Sequence, residues 1–409
     1  MRTFGDRTGP QRGYPQRVMG YCHDSVGVGH LRRTLTICER LGRAFPQASF
    51  LLATGTPYFP MFNPSAPIDY IKLPALAKRE DGAYCCKYLG VPLERLLRCR
   101  ESLLLKTTES FEPDVLLVDK APLGVCQELV PTLRWLRRQR PRVRTIFGMR
   151  DIEDTPSATI EQWARNGAFE LIEEFYDEVW VYGMRRVFDV GVKYRLSPRI
   201  RAKLRYMGYL HRAPCDHPLP SDRDGREILV TVGGGTDGEH VIGTYLAEAA
   251  RRAATMGIRS TIIGGPDLPQ QAAASLGDIA STIEGVEWVA FEGCMSCRMR
   301  RSELVVSMGG YNTLCEIAAH RKPALVIPRT HPRLEQTLRA KLWERRHAVR
   351  VLDRAALTPH TLAHRVLEML ANGPKTTNPQ LDFKGLDRIV ERFPALWREE
   401  ARRAAAVRL

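Results

Sequence analysis

The chain has 409 residues, 44 % of them apolar and 26 % charged, which is the composition of a folded protein of two or three domains. No apolar run approaches the ~18 residues of a membrane span, and the N-terminus lacks the apolar core of a secretion signal. An integral membrane protein and a disulfide-built secreted scaffold are therefore not expected; a cytoplasmic protein, or one peripheral at the inner face of the membrane, is. The formal net charge is +15, mostly arginine, with runs at Arg134–Arg144, Arg298–Arg301 and Arg398–Arg403. Such charge suits phosphorylated substrates or anionic lipid, or is simply solvated surface. No zinc-finger, aromatic RNA-binding or basic-zipper pattern points to nucleic acid.

Residues 1–17 are rich in Gly, Pro, Gln and Arg and read as a basic tail. The first strand, Val18–Cys22, runs into Asp24-Ser-Val-Gly-Val-Gly-His-Leu-Arg-Arg33, and a helical pattern follows at Leu31, Leu35, Ile37, Cys38 and Leu41. Glycines let a backbone approach a ligand closely, and free N–H groups at a helix start favour negative charge. His30 there can move a proton near neutral pH. The plainer reading is a tight strand-to-helix turn capped by a histidine.

Further strands are expected at Ser49–Ala53, Tyr70–Leu73, Val115–Val118, Val143–Phe147, Glu178–Val181 and Arg205–Met207, with helices at Leu93–Ser110 and Leu123–Arg138. The stretch from Met61 to Leu105, with Lys78-Arg79-Glu80-Asp81 and Tyr84 and Tyr88, suits an acceptor-binding lid, a membrane-facing patch or a bland insertion. Asp119 and Lys120 end one strand. Arg150, Asp151 and Asp154 follow another, where Asp151 offers a base and Asp154-Thr155-Pro156 equally reads as a helix cap. His23 and Asp24 flank the first loop and could assist His30.

The Pro-containing stretch 211–226 reads as a linker. The alternation then restarts with strands at Ile228–Val232, Ser260–Ile263, Val286–Ala290, Leu304–Ser307, Ala324–Ile327 and Ala348–Val351. Helices are expected at Glu239–Met256, Thr313–His320, Leu334–Arg345 and Pro359–Leu370. The organisation is thus 18–210, 211–226, 227–375 and a returning helix within 376–409, with Leu386–Arg403 packing on the first domain. Such alternation gives an α/β protein of two doubly wound, Rossmann-like domains facing across a cleft.

Three loops of the second half sit at strand ends. Gly233-Gly234-Gly235-Thr236 exposes amides that can cradle phosphate. Gly309, Gly310, Asn312, Thr313 and Glu316 form a second; Thr313-x-x-Glu316 is also a capping box. The third carries His331, Glu335 and Gln336, groups suited to sugar hydroxyls. The ten cysteines are scattered, with one CxxC at Cys294 and Cys297, and are expected to be ordinary thiols rather than a metal site.

Taken together, these motifs resemble the GT-B superfamily, most nearly the family 28-type glycosyltransferases, which include the peptidoglycan N-acetylglucosaminyltransferase. Gly27-Val-Gly29-His30 stands where that family has Gly-x-Gly-Gly-His, with one glycine fewer. Ser307, Gly310, Thr313 and Glu316 match its Ser-x-x-Gly-x-x-Thr-x-x-Glu element; Glu335-Gln336 and Arg339-Ala340 resemble its later polar pair. Gly27, Gly29, His30, Arg33 and Leu35 also resemble the first loop of the nucleotide-sugar hydrolase of pseudaminic acid synthesis, where the histidine activates water. The resemblance implies a sugar transferred from a nucleotide diphosphate, inverting and without metal or other cofactor; the alternatives are a nucleotide-sugar hydrolase using His30 to activate water and a non-catalytic nucleotide-sugar-binding protein. Gly233–Thr236 and Gly309–Thr313 would hold the diphosphate, Glu316 the ribose, and His331, Glu335 and Gln336 the sugar. His30 would be the base, with Asp151 competing. Gly27, Gly29, Arg33, Asp119 and Arg150 would face the acceptor or the diphosphate. The acceptor (glycan, lipid-linked or small) is not readable.

Overall fold

The structure, a computed structural model, describes residues 13–406 apart from 24–26, 63, 65, 80–82, 213–225 and 373–379, and only the backbone of 399–406. Asp24, Glu80, Asp81, most of the basic tail and most of the expected linker lie outside the described residues.

In chain order the first half contributes β1 (Arg17–Cys22), β2 (Ser49–Thr54), β3 (Ile68–Lys72), β4 (Leu76–Lys78), β5 (Tyr84–Cys86), β6 (Val115–Asp119), β7 (Arg144–Arg150), β8 (Glu178–Tyr182) and β9 (Leu204–Tyr206). The second half contributes β10 (Glu227–Thr231), β11 (Arg259–Ile263), β12 (Val286–Val289), β13 (Leu304–Ser307), β14 (Ala324–Val326) and β15 (Arg350–Val351). Most are short and apolar on both faces, as strands covered on both sides must be.

Among the described residues they form two parallel sheets, ordered β3-β2-β1-β6-β7-β8-β9 and β12-β11-β10-β13-β14-β15, plus the antiparallel pair β4-β5. Each large sheet runs outward from its first strand in one direction, then resumes on that strand's other side. The reversal leaves a crevice beyond the strand carboxyl ends. It falls between β1 and β6 in one sheet and between β10 and β13 in the other. The expected doubly wound, two-domain α/β architecture is therefore present.

The two halves share a core. One apolar cluster runs from Val18 and Leu35 through Tyr209 and Tyr311 to Leu229 and Trp343. The helix Gly385–Ala406 returns to the first half: Phe393 stacks obliquely on Phe45 at 5.0 Å, Arg40 pairs with Asp387 at 3.0 Å, and Arg392 pairs with Glu178.

One expected helix is shorter than its sequence pattern. Leu123–Arg138 is helical only over Val130–Gln139. Before it, Gly124, Cys126 and Gln127 all have positive φ. This bend lets the fully buried Glu128 accept from both Arg100 (2.5 and 2.7 Å) and the Tyr21 hydroxyl (2.5 Å). Tertiary pairing thus overrides local helix preference.

Candidate active site

His30 sits in the first turn of the helix Gly29–Ala44, whose N-cap is Val28 and has no side-chain cap. The histidine is therefore not the cap. Its Nδ1 lies 2.6 Å from Asp119 Oδ2, at the end of the neighbouring strand β6. Asp119 also accepts from Arg33 Nε (2.8 Å) and Nη2 (2.6 Å). Arg33 Nη2 also lies 2.9 Å from His30 Nδ1, so the imidazole, Asp119 and Arg33 form one hydrogen-bonded cluster. Burial and the cations Lys120, Arg33 and Arg150 hold the His30 pKa well below the usual 6.5. Lys120 adopts φ +64°, and burial with Arg150 and Arg333 nearby lowers its own pKa strongly.

Across the crevice the glycine loops of the second half face this pair. A cavity of about 220 Å³ is lined by Gly27, Gly29, His30, Arg33 and Arg150 from one side, and by Gly233–Thr236, Gly310, Asn312, Thr313, Glu335 and Gln336 from the other. A Cβ built on Gly234 would lie 3.3 Å from Gly27 Cα, so the two loops approach back to back.

Backbone constraints differ along the triple glycine. Gly235 has φ +101°, and a Cβ there would meet Gly264 O at 2.6 Å and Leu268 N at 2.8 Å. Gly233 has φ +69° and open space around it. Gly235→Ala should cost about 2–4 kcal/mol and Gly233→Ala about 1–2 kcal/mol. Thermal melting of the two variants checks this order.

The second loop is not a capping box. The helix Tyr311–Ala319 has Gly310 as N-cap without side-chain cap, so Thr313 lies inside it. Gly309 (φ +79°) makes the turn; its neighbours Met308 and Gly310, rather than Gly309, line the cavity. Asn312 Nδ2 donates to Gly29 O at 2.9 Å, across the crevice. Glu316 is buried just outside the cavity lining; its Oε1 accepts from Arg32 Nη2 at 2.6 Å.

Glu335 is an ionic hub. It accepts from Arg329 (3.1 Å) and Arg339 (2.9 Å), with Arg150 at 3.5 Å. Burial alone would raise its pKa, but these three guanidiniums outweigh it and hold the carboxyl far below its ordinary range. Gln336 Oε1 accepts from Arg329 N.

Besides Asp119, Gly309 and Glu316, two further expected site residues stand off the cavity lining. Asp151 is 1 % exposed and does not line the cavity; both its oxygens are on Arg339 (2.8–3.2 Å), itself fully buried, so it is not presented to a substrate as a base. His331 is exposed and outside the cavity lining. Arg33 reaches the cavity wall, but its guanidinium is engaged by Asp119. Thr155, not Asp154, caps the helix Pro156–Asn166; Asp154 accepts from Leu334 N across the crevice.

Three residues had no role assigned from sequence. Arg32 and Arg329 line the cavity, and Tyr311 pins the halves together. The Tyr311 hydroxyl donates to Tyr182 O (2.9 Å) and accepts from Leu210 N (3.2 Å), while Arg33 and Arg339 lie 5.5 and 5.4 Å from its ring. Their sequence signal was position within the loops at strand ends. The buried side-chain atoms without a hydrogen-bond partner among the described residues include Arg150 Nε, Arg329 Nε and Glu316 Oε2. Cys294 is free and Cys297 is disulfide-bonded, which departs from the expected free thiols and leaves no CxxC ligand pair. No cluster of three His, Cys, Asp or Glu side chains suited to a metal occurs among the described residues.

Residues 228–392 match the model of the glycosyltransferase family 28 C-terminal domain. The second half of the chain is thus similar to a family 28 domain. Outside that domain the kinship is thinner. The N-acetylglucosamine transferase of Syntrophotalea carbinolica that acts on N-acetylmuramyl-(pentapeptide) pyrophosphoryl-undecaprenol is 33 % identical over 171 residues, 41 % of this chain and 46 % of that protein. The chain thus spans less than half the length of this curated relative. Among solved structures, Acinetobacter baumannii MurG aligns with 93 % of this chain and 100 % of its own at TM-score 0.56 and 12 % identity. Neisseria meningitidis UDP-GlcNAc 2-epimerase, bound to UDP-GlcNAc, aligns with 92 % and 99 % at TM-score 0.57 and 13 % identity. At such identities the likeness is one of fold. The chain has the GT-B fold, with a second half similar to the family 28 C-terminal domain.

Proposed function

We propose that this protein transfers a sugar from a nucleoside diphosphate donor, UDP-linked as in its relatives, to an acceptor hydroxyl, with inversion and without a metal. The observation that carries the reading is the His30–Asp119 pair facing the family 28 glycine loops across one cavity. Nucleotide binds the family 28 domain: Gly233–Thr236 and Gly310–Thr313 take the diphosphate and Glu316 a ribose hydroxyl. The unpartnered Nε groups of Arg150 and Arg329 suit phosphate oxygens, and the unpartnered Glu316 Oε2 suits a hydroxyl donor. Arg329, Glu335 and Gln336 form a rigid polar wall for the sugar.

His30 Nε2 accepts the acceptor proton as its oxygen attacks the anomeric carbon. The glycosidic bond to the β-phosphate breaks with its electron pair on the phosphate oxygen. Guanidiniums and helix-start amides meet that charge. Because the His30 pKa lies below 6.5, the base stays neutral through neutral pH. Transfer is then flat above pH 6.5 and is lost as pH falls through the lowered value.

Acceptor access is from the first domain. Exposed Tyr88 and Leu89, with Lys87 over the Tyr88 ring, support contact with a lipid surface and hence a lipid-linked acceptor in cell-envelope synthesis. No helix among the described residues is long and apolar enough to cross a membrane.

Hydrolysis is the second reading, favoured by the spacing of Gly27, Gly29, His30, Arg33 and Leu35: the same base could deprotonate water. Mass-spectrometric detection of nucleotide release from UDP-, GDP- and dTDP-sugars in water alone separates the two. His30-dependent release without acceptor means a hydrolase. Binding with release only on adding an acceptor supports transfer, and binding with no turnover over a broad acceptor panel overturns both.

A further inference from the structure

Arg32 stands one turn into the helix Gly29–Ala44, on the first domain's side of the crevice. Its Nη2 is 2.6 Å from Glu316 Oε1, on the helix Tyr311–Ala319 of the family 28 domain. Four residues earlier on that second helix, Asn312 donates to Gly29 O. Gly29 and Arg32 are three apart on one helix, Asn312 and Glu316 four apart on the other, so each pair shares a helix face. The two helix starts are thus joined at two points.

Glu316 is the unusual member. It is 4 % exposed, one oxygen is on Arg32, and Oε2 is buried without a partner among the described residues. A buried acceptor left unpaired costs about 1–3 kcal/mol, so such an atom marks a place where a donor belongs. A ribose hydroxyl is such a donor. An isolated buried carboxyl would take up a proton and lose acceptor strength. Burial pushes Glu316 that way, and Arg32 and Arg212 oppose it. Arg212 is the weaker anchor, since its Nη2 is shared with Glu39 at 3.5 Å.

We propose that Arg32 completes the ribose subsite from across the crevice, tying down Oε1 of Glu316 and leaving Oε2 for a single ribose hydroxyl, so that nucleotide recognition by the family 28 domain requires the first domain to be docked against it. This rests on the reading of Glu316 as the ribose acceptor. Arg32 is a positioning residue, acting through Glu316. The charged and titratable groups around that carboxylate are Arg32 and Glu39 on one helix, Arg212 and His211 on the segment after β9, and Cys315 and His320 on its own helix. His320 is bonded to Ser296 and held at about 4, so it is neutral through the range tested.

The test is calorimetric titration of the full chain with UDP, 2′-deoxy-UDP and 3′-deoxy-UDP between pH 6 and 8. Wild-type protein should bind UDP with little change over this range and lose roughly 10-fold in affinity for one of the two deoxy analogues. Arg32→Ala should bind UDP about 10-fold more weakly at pH 8, and more weakly still at pH 6 as Glu316 takes up a proton. Arg32→Lys keeps the charge and should restore the flat profile, which guards against a merely misfolded variant. Wild-type affinity and a flat profile in Arg32→Ala would overturn the role of Arg32 while the deoxy discrimination still stood. Equal binding of all three nucleotides, unchanged in Glu316→Gln, would overturn the ribose reading itself, as would no UDP binding at all.

Discussion

Asp119→Asn lowers turnover by about 10³–10⁴-fold while UDP binding persists. In the proposed mechanism Asp119, 2.6 Å from His30 Nδ1, holds the imidazole proton there and leaves Nε2 as the base. An amide in its place can donate to Nδ1, which moves the proton to Nε2 and removes the lone pair facing the crevice. It also gives up the countercharge of Arg33, so some loss of melting temperature accompanies the change. The decisive measurement is a double-mutant comparison. His30→Ala should cost about as much as Asp119→Asn, and the pair together little more than either alone, because the two act as a unit. Full additivity would mean that Asp119 serves only to hold Arg33.

The largest stability effect belongs to Arg339→Leu. Arg339 is fully buried and neutralises two buried carboxylates, Asp151 of the first domain and Glu335 four residues before it. Removing it takes from each carboxylate its closest guanidinium, and leaves Glu335 with Arg150 and Arg329. Breaking one buried pair costs about 3–5 kcal/mol, so a loss at or above the top of that range is expected. The pH dependence has a definite sign. In the native protein Glu335 has a depressed pKa, so its contribution is present above the ordinary carboxyl range and lost only in strong acid. Asp151 is already raised by burial against the pull of Arg339. Without the guanidinium it rises further, so the variant regains stability as pH falls toward the unfolded-state value. Chemical denaturation at pH 8 and pH 5.5 should show the deficit shrinking at the lower pH. A constant deficit would place the effect in packing instead of charge.

The parallel strands were legible because each is a short apolar run bounded by turn residues, a signal that needs only neighbours in sequence. The hairpin β4–β5 was not, since Leu76–Lys78 and Tyr84–Cys86 are three residues each and mixed in polarity. The site was legible by loop but not by pairing. His30 and Asp119 each stood out at a strand end, yet nothing local joins residues 89 apart. Asp151 was placed correctly at the end of β7, and its partner 188 residues away decided its role. Thr313 and Glu316 fit a capping box equally well in sequence; only the helix beginning at Tyr311 removes that reading. Arg32 was passed over because an arginine in a basic chain carries no distinguishing mark until its partner is seen.

The contact between Gly27 and Gly234 has a mechanical consequence. Where these loops meet, the closest approach of the domains is fixed by main chain, with no side chain between. Side chains yield by changing rotamer; backbone does not. The two halves therefore have a hard stop, set by the absence of a methyl group at Gly234. An alanine at position 234 would press on it at 3.3 Å, and anything larger would act as a wedge, holding the halves apart by its own width.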